Sequence, residues 1–157
     1  MREGETSCIG NLGIAGFGGL IRNDDGGWII GYHGHIGFSN ILHAELLALL
    51  FGLQLAWDKG LSNIICYSDS LNVVKLVTAP ITPMHLYAAI LQEVKNLMNR
   101  NWTVQLRHTL REGNQSADFL AKMGSSCHDK LKIISAPPAE MLPVLHADST
   151  RVSFVRS

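Results

Sequence analysis

Short apolar runs broken by glycine open the chain, and a leucine stripe at helical spacing follows them. Eleven of the fifteen glycines fall in the first 37 residues. There, Gly16 to Arg22 and Trp28 to Ile36 read as two strands joined through Asp24-Asp25-Gly26-Gly27, a hairpin turn. From Asn40 the period changes: Leu42, Leu46, Leu49, Leu53 and Ala56 recur at three- and four-residue steps, which predicts an amphipathic helix stopped at Lys59-Gly60. Asn63 to Ser68 is a short β-type run, and Asp69-Ser70 behind it can cap a helix through Val77. Beyond Pro80 and Pro83 a further helix is predicted from Met84 to about Asn99. Trp102 to His108 alternates as a strand does, and a last helix follows Gly113 with Ala117, Leu120 and Ala121 on one face. Residues 1–125 therefore read as one domain, and 126–157 as a tail that packs on it or trails from it without a regular period. Antiparallel strands come first and βα connections later, so a mixed sheet covered by helices is expected.

Composition narrows the class. With 157 residues, 46% of them hydrophobic, and no net charge, one folded domain is expected and a disordered chain is excluded. The greasiest stretch, Leu46 to Leu53, is interrupted at Gln54, so no membrane span or membrane partner is expected. The charged start, Met1 to Glu5, does not resemble a secretory leader. Cys8, Cys66 and Cys127 are scattered and form no CxxC pair, which points to free thiols in a reducing, intracellular compartment, nucleus and cytoplasm undistinguished. Residues 1–74 hold three Lys/Arg against seven Asp/Glu, and 75–157 hold ten against six. An acidic pole beside a cationic one suits metal ions next to a polyanion, although chance placement gives the same asymmetry.

Four residues stand out chemically, each with a bland alternative. Glu45 shares the stripe of Ile41 and Leu49, where a carboxylate is costly unless paired or bound to a cation; a helix rolled to put it at the solvent boundary is the alternative. Asp69 ends a buried strand, the usual place for ligands in sheets with crossover connections, yet an ordinary helix cap looks the same. Asp118 lies among Ala117, Phe119 and Leu120, where an exposed helix charge is the simpler account. His108 ends a strand, and a single histidine is more often structural. Gly16 to Gly19 lacks the rest of a phosphate loop and does not match GxGxxG. His33 and His35 share a strand face but lack a third zinc ligand, and Ser68 and Ser70 lie in no GxSxG elbow.

Taken together, the blocks Ser7 to Asn11, Ala15 to Asn23, Ala44 to Leu49, Tyr67 to Ser70 and His108 to Asn114, leading to Ala117-Asp118 and Leu120 to Lys122, resemble the type 1 ribonuclease H domain. The likeness is to its plant form, also found in plant retroelement reverse transcriptases, and Pro137 to Phe154 in the tail shares it. The resemblance implies an α/β fold with a mixed five-stranded sheet flanked by helices. It implies an RNA–DNA hybrid endoribonuclease that cleaves the RNA strand with two Mg²⁺, Mn²⁺ being an alternative, and a monomeric domain whose partner is nucleic acid. Glu45, Asp69 and Asp118 match the family's metal ligands, His108 its histidine for proton transfer or product release, and Asn11 and Asn114 its polar positions near substrate. The chain departs from the pattern at the first ligand. Glu5-Thr6-Ser7 stands where the family has Asp-Gly-Ser, so Glu5 takes the aspartate's place and the first strand is expected to be truncated, short or missing. That departure implies impaired catalysis, or an inactive nucleic-acid-binding remnant.

Overall fold

The computed structural model describes the backbone of residues 2–9, 13–110 and 114–147, and the side chains of these from Gly16 onward except Phe38. Six strands form one sheet in the order β5-β4-β1-β2-β3-β6. They are β1 (Arg2–Ile9), β2 (Gly13–Arg22), β3 (Trp28–Ser39), β4 (Asn63–Ser68), β5 (Thr103–His108) and β6 (Lys132–Ile134). The helices are α1 (Ile41–Asp58), α2 (Leu71–Thr78), α3 (Ala88–Met98) and α4 (Gln115–Ser126), and in the tail a 3-10 turn at Ala139–Met141 leads into helical residues 142–147. β1 runs antiparallel to β2 and parallel to β4, and β4 runs parallel to β5, which makes the sheet mixed.

Three expectations are corrected. The first strand is not a stub: Arg2–Ile9 is an eight-residue central strand paired along both edges. Backbone hydrogen bonding does not depend on apolar side chains, so a polar sequence can occupy the middle of a sheet when both neighbours supply partners. Helix α3 starts at Ala88 rather than Met84, because the Ala88 amide bonds to the His85 carbonyl and the Tyr87 amide to His85 Nδ1, a turn rather than a helical ladder. The tail supplies a sixth strand beyond the expected five: β6 pairs with β3, and Met141 is fully buried against the domain.

The two sheet faces are packed differently. On one, Ile21, Ile30, Ile64 and Cys66 meet Leu46, Leu49 and Leu53 of α1 and, beyond them, Val73, Val77, Leu91 and Val94 of α2 and α3. Phe17 and Tyr32 continue this face against Ala44 and Ala48. Helix α1 has the length and apolarity of a membrane helix, but eight of its residues are buried within the domain. On the other face Leu20 meets Ala117 and Leu120 of α4 and Met141 of the tail. Glycine lets α4 lie on the backbone of β2: a Cβ at Gly18 would stand 2.5 Å from the Ala121 amide nitrogen, and one at Gly16 2.1 Å from that of Ser125. Asn23 closes the β2–β3 hairpin, accepting from the amides of Asp25 and Gly27, while Gly26 takes a φ of 81°.

The close approach of α4 gives the first prediction. Gly18→Ala forces a methyl into helix backbone and should cost about 2 kcal/mol or more, the upper range for overpacking. Thermal denaturation should show a fall of roughly 4–8 °C for a chain of this size. An unchanged midpoint would mean that α4 does not sit where it is described.

Candidate active site

The topology gathers the acidic residues at one end of the sheet. Glu5 pairs with Tyr67 and Thr6 with Ser68 across the parallel β1–β4 edge, and Ser68 pairs with His108 across β4–β5. Thr6, Ser68 and His108 thus make one backbone row at the C-terminal ends of β4 and β5, and Glu5 lies one row back. Asp69, half-buried, is the first residue beyond that row. The capping role open to it belongs to Ser70, whose Oγ accepts from the Val73 amide at 3.2 Å and whose own amide donates to Ser68 Oγ at 3.1 Å. His108 is exposed at the end of β5, and the next amide, that of Thr109, donates to the Ser68 carbonyl at 2.9 Å.

Helices bring the other two carboxylates to the same end. β3 finishes opposite the start of β2, beyond the C-terminal end of β1, so α1 begins there and Glu45 stands in its second turn. Asn40 caps this start, its side-chain oxygen accepting from the His43 amide at 2.9 Å. Glu45 is 3% exposed, so the solvent-boundary alternative does not hold, whereas Ile41 on the same stripe is 41% exposed. Helix α4 opens after β5, and Asp118 lies half-buried in its first turn, where the helix N-terminus favours negative charge. The Asp118 amide donates to the carbonyl of Asn114, which is fully buried at the cap position. Leu20, the register partner of Glu5, packs against Ala117 and Leu120 on either side of Asp118, so the start of α4 and the Glu5 backbone stand at one level. Asn11 and the Glu5 side chain lie outside the described residues.

The donor set matches a hard divalent cation in kind: carboxylate oxygens carried by separate elements. Among the described residues, no group of three His, Cys, Asp or Glu stands close enough to hold a metal ion. Glu45, Asp69 and Asp118 therefore do not form a metal cage by themselves. Tyr32, next to His33, carries no signal of its own in the sequence. The signal was Gly52, a helix-interior glycine in a leucine-rich stretch, which calls for a packing reason.

The architecture is a mixed α/β sheet with helices on both faces, and the comparisons with known proteins identify its class. Residues 3–124 match the model of the reverse transcriptase-like family. An Arabidopsis thaliana protein named for ribonuclease H is 30% identical over 150 residues, 94% of this chain; the chain spans about a quarter of its length, 24%. Ribonuclease H1 of the halophilic archaeon Halobacterium salinarum superposes with a TM-score of 0.69 at 27% identity, covering 78% of this chain and 94% of that one. The N-terminal ribonuclease H domain of a Mycobacterium tuberculosis protein gives 0.73 at 23% identity, covering 79% and 92%. A ribonuclease H1 called LC11, solved in complex with an RNA/DNA hybrid, gives 0.71 at 20%, covering 78% and 95%. The chain belongs to the reverse transcriptase-like family, as a ribonuclease H domain of the plant type.

At the opposite lateral edge of the sheet, the β3–β6 seam holds His33 opposite Lys132. It is 1% exposed, neither ring nitrogen has a hydrogen-bond partner, and no third ligand joins it and His35 among the described residues. Burial, reinforced by the Lys132 charge and opposed by Asp129, lowers its pKa below the ordinary 6.5. Burial lowers that of His43 likewise. A histidine whose folded pKa is depressed takes up its proton more readily when unfolded, so stability is lost as pH falls below about 6.5. Denaturant titrations should show a less stable chain at pH 5.5 than at pH 7.5, with a smaller difference in His33→Leu. A difference unchanged by that substitution would remove His33 as its source.

Proposed function

We propose that this domain hydrolyses the RNA strand of an RNA–DNA hybrid, weakly, with Glu45, Asp69, Asp118 and Glu5 as ligands of two Mg²⁺ ions, for which Mn²⁺ can substitute. One observation carries the proposal: strand register and helix order bring acidic residues from β1, α1, the end of β4 and α4 to one end of the sheet. When bound, the ions supply an activated water and stabilise the leaving oxygen of phosphodiester hydrolysis. Asp69 and Glu45 approach from strand and helix, and Asp118 closes the site from α4. His108, exposed at the last row of β5, is free to move a proton or to help the product leave. Asn114 and Asn11 supply polar contacts to substrate. Recognition of the RNA strand rests on its 2′-hydroxyls in a shallow minor groove.

Glu5 favours a second reading, a catalytically inactive nucleic-acid-binding domain. Relative to aspartate it adds one methylene, and a displacement of about 1 Å at a reacting centre can cost on the order of 100-fold in rate. Labelled hybrid incubated with and without Mg²⁺ separates the two. Cleavage by the unaltered chain should be weak, Glu5→Asp should raise it by about 10- to 100-fold, and Asp69→Asn should abolish it. Binding should survive in Asp69→Asn and weaken as salt is raised, because phosphate contacts release counterions. No cleavage in Glu5→Asp with salt-sensitive binding intact would establish the inactive reading. Binding that is absent, or indifferent to salt, would remove nucleic acid from the function.

A further inference from the structure

Tyr32 of β3 is 1% exposed, and its hydroxyl donates across the sheet–helix interface to the carbonyl of Ala48 in α1. A buried phenol needs an acceptor, and this one is part of the ladder of the helix that carries Glu45. Gly52 makes the approach possible: a Cβ there would stand 2.4 Å from the Tyr32 oxygen. Glycine weakens a helix interior relative to alanine, so this position trades helix propensity for a socket. Glu45 lies three residues before Ala48, on the adjoining turn. Burial raises the Tyr32 pKa well above 10, and Cys66 and Glu45 raise it further. Cys66 belongs to β4, three residues before Asp69. The phenol therefore ties β3 to the helix that bears Glu45.

We propose that Tyr32 is a positioning residue: its bond to Ala48, seated in the Gly52 socket, sets how far α1 is advanced along the sheet and hence where Glu45 stands relative to Asp69. The inference rests on the proposed function, since it assigns a purpose to placing Glu45. Around the phenol, α1 presents Ala44 and Ala48 to Phe17 and Tyr32. Methyl groups against rings restrain sliding less than the interlocked Leu46, Leu49 and Leu53 farther along α1, and the bond adds a directional restraint at the end of the helix that carries Glu45. Tyr32 is enclosed under α1 and acts through Glu45 rather than on substrate.

The test uses the full chain and Mg²⁺ itself, reading the thermal midpoint as Mg²⁺ is titrated. Wild type, Tyr32→Phe, Gly52→Ala, the double variant and Asp69→Asn are compared, with Leu97→Ala as a core variant remote from the site. Tyr32→Phe should need about 10-fold more Mg²⁺ for half of its stabilisation, the usual effect of losing a group that orients a ligand. Gly52→Ala, which expels the hydroxyl, should shift the half-point the same way, and the double variant should be no worse than the worse single one, since both remove one contact. Leu97→Ala should lower the midpoint without moving the Mg²⁺ half-point. A half-point in Tyr32→Phe and Gly52→Ala that stays at the wild-type value, as in Leu97→Ala, would overturn the proposal alone. A wild type that Mg²⁺ does not stabilise, or stabilises no more than Asp69→Asn, would overturn the metal site and the positioning role together.

Discussion

Double-sided backbone pairing of β1 is the constraint on which the rest of this molecule depends. Its sequence, Arg2 to Ile9, contains two glutamates and a glycine, residues that strands disfavour. What holds such a segment straight is the ladder on each edge, antiparallel to β2 and parallel to β4. Without it the two halves of the sheet would part, with β4–β5 on one side and β2–β3 on the other. The acidic end would part with them, because β1 carries Glu5 between the strand leading to Asp69 and the strand under α4. The least apolar strand is thus also the one that joins the site.

Glycine decides how closely the second layer lies on that ladder. Gly16 and Gly18 replace side-chain contact with near contact of backbone, so α4 rests on β2 instead of on a layer of apolar groups. On the opposite face Phe17 and Tyr32 stand between sheet and helix, with Phe17 stacked on Phe51 at 5.3 Å between ring centroids. Alternation along one strand therefore sets two different depths: a thin layer under the helix that carries Asp118, and a thicker one under the helix that carries Glu45.

Much of this was legible in the sequence because its elements announce themselves by period and cap. The leucine stripe from Leu42 to Ala56 became α1 with Asn40 as its cap, and the run from Asn63 became β4 ending before Asp69. The order of the blocks disclosed the family. Three features stayed hidden for a common reason: their cause lies in partners remote in sequence. β1 looks like a polar stub until β2 and β4 flank it. β6 has three residues and no apolar alternation, and exists because β3 offers an open edge. Tyr32 matters through Ala48 and Gly52, sixteen and twenty positions away, a relation that periodicity within one element does not encode. The carboxylates were named from their placement and family likeness, whereas their arrival at one end of the sheet follows from topology that a linear reading does not contain.

The tail has a consequence for how the molecule behaves in company. β3 is the longest strand, twelve residues, and lies next to the outer position of the sheet, where unsatisfied amides and carbonyls invite another chain to add itself. β6 occupies Gly31 to His33, and the His35 amide donates to the Asp129 carbonyl just beyond, so the middle of that edge is already spoken for by the chain's own residues. Buried Met141 and the bond from Trp28 Nε1 to the Ser135 carbonyl keep the segment in place. Residues outside the nuclease-like core thereby fill, with the chain's own backbone, the part of the β3 edge to which a further strand would add.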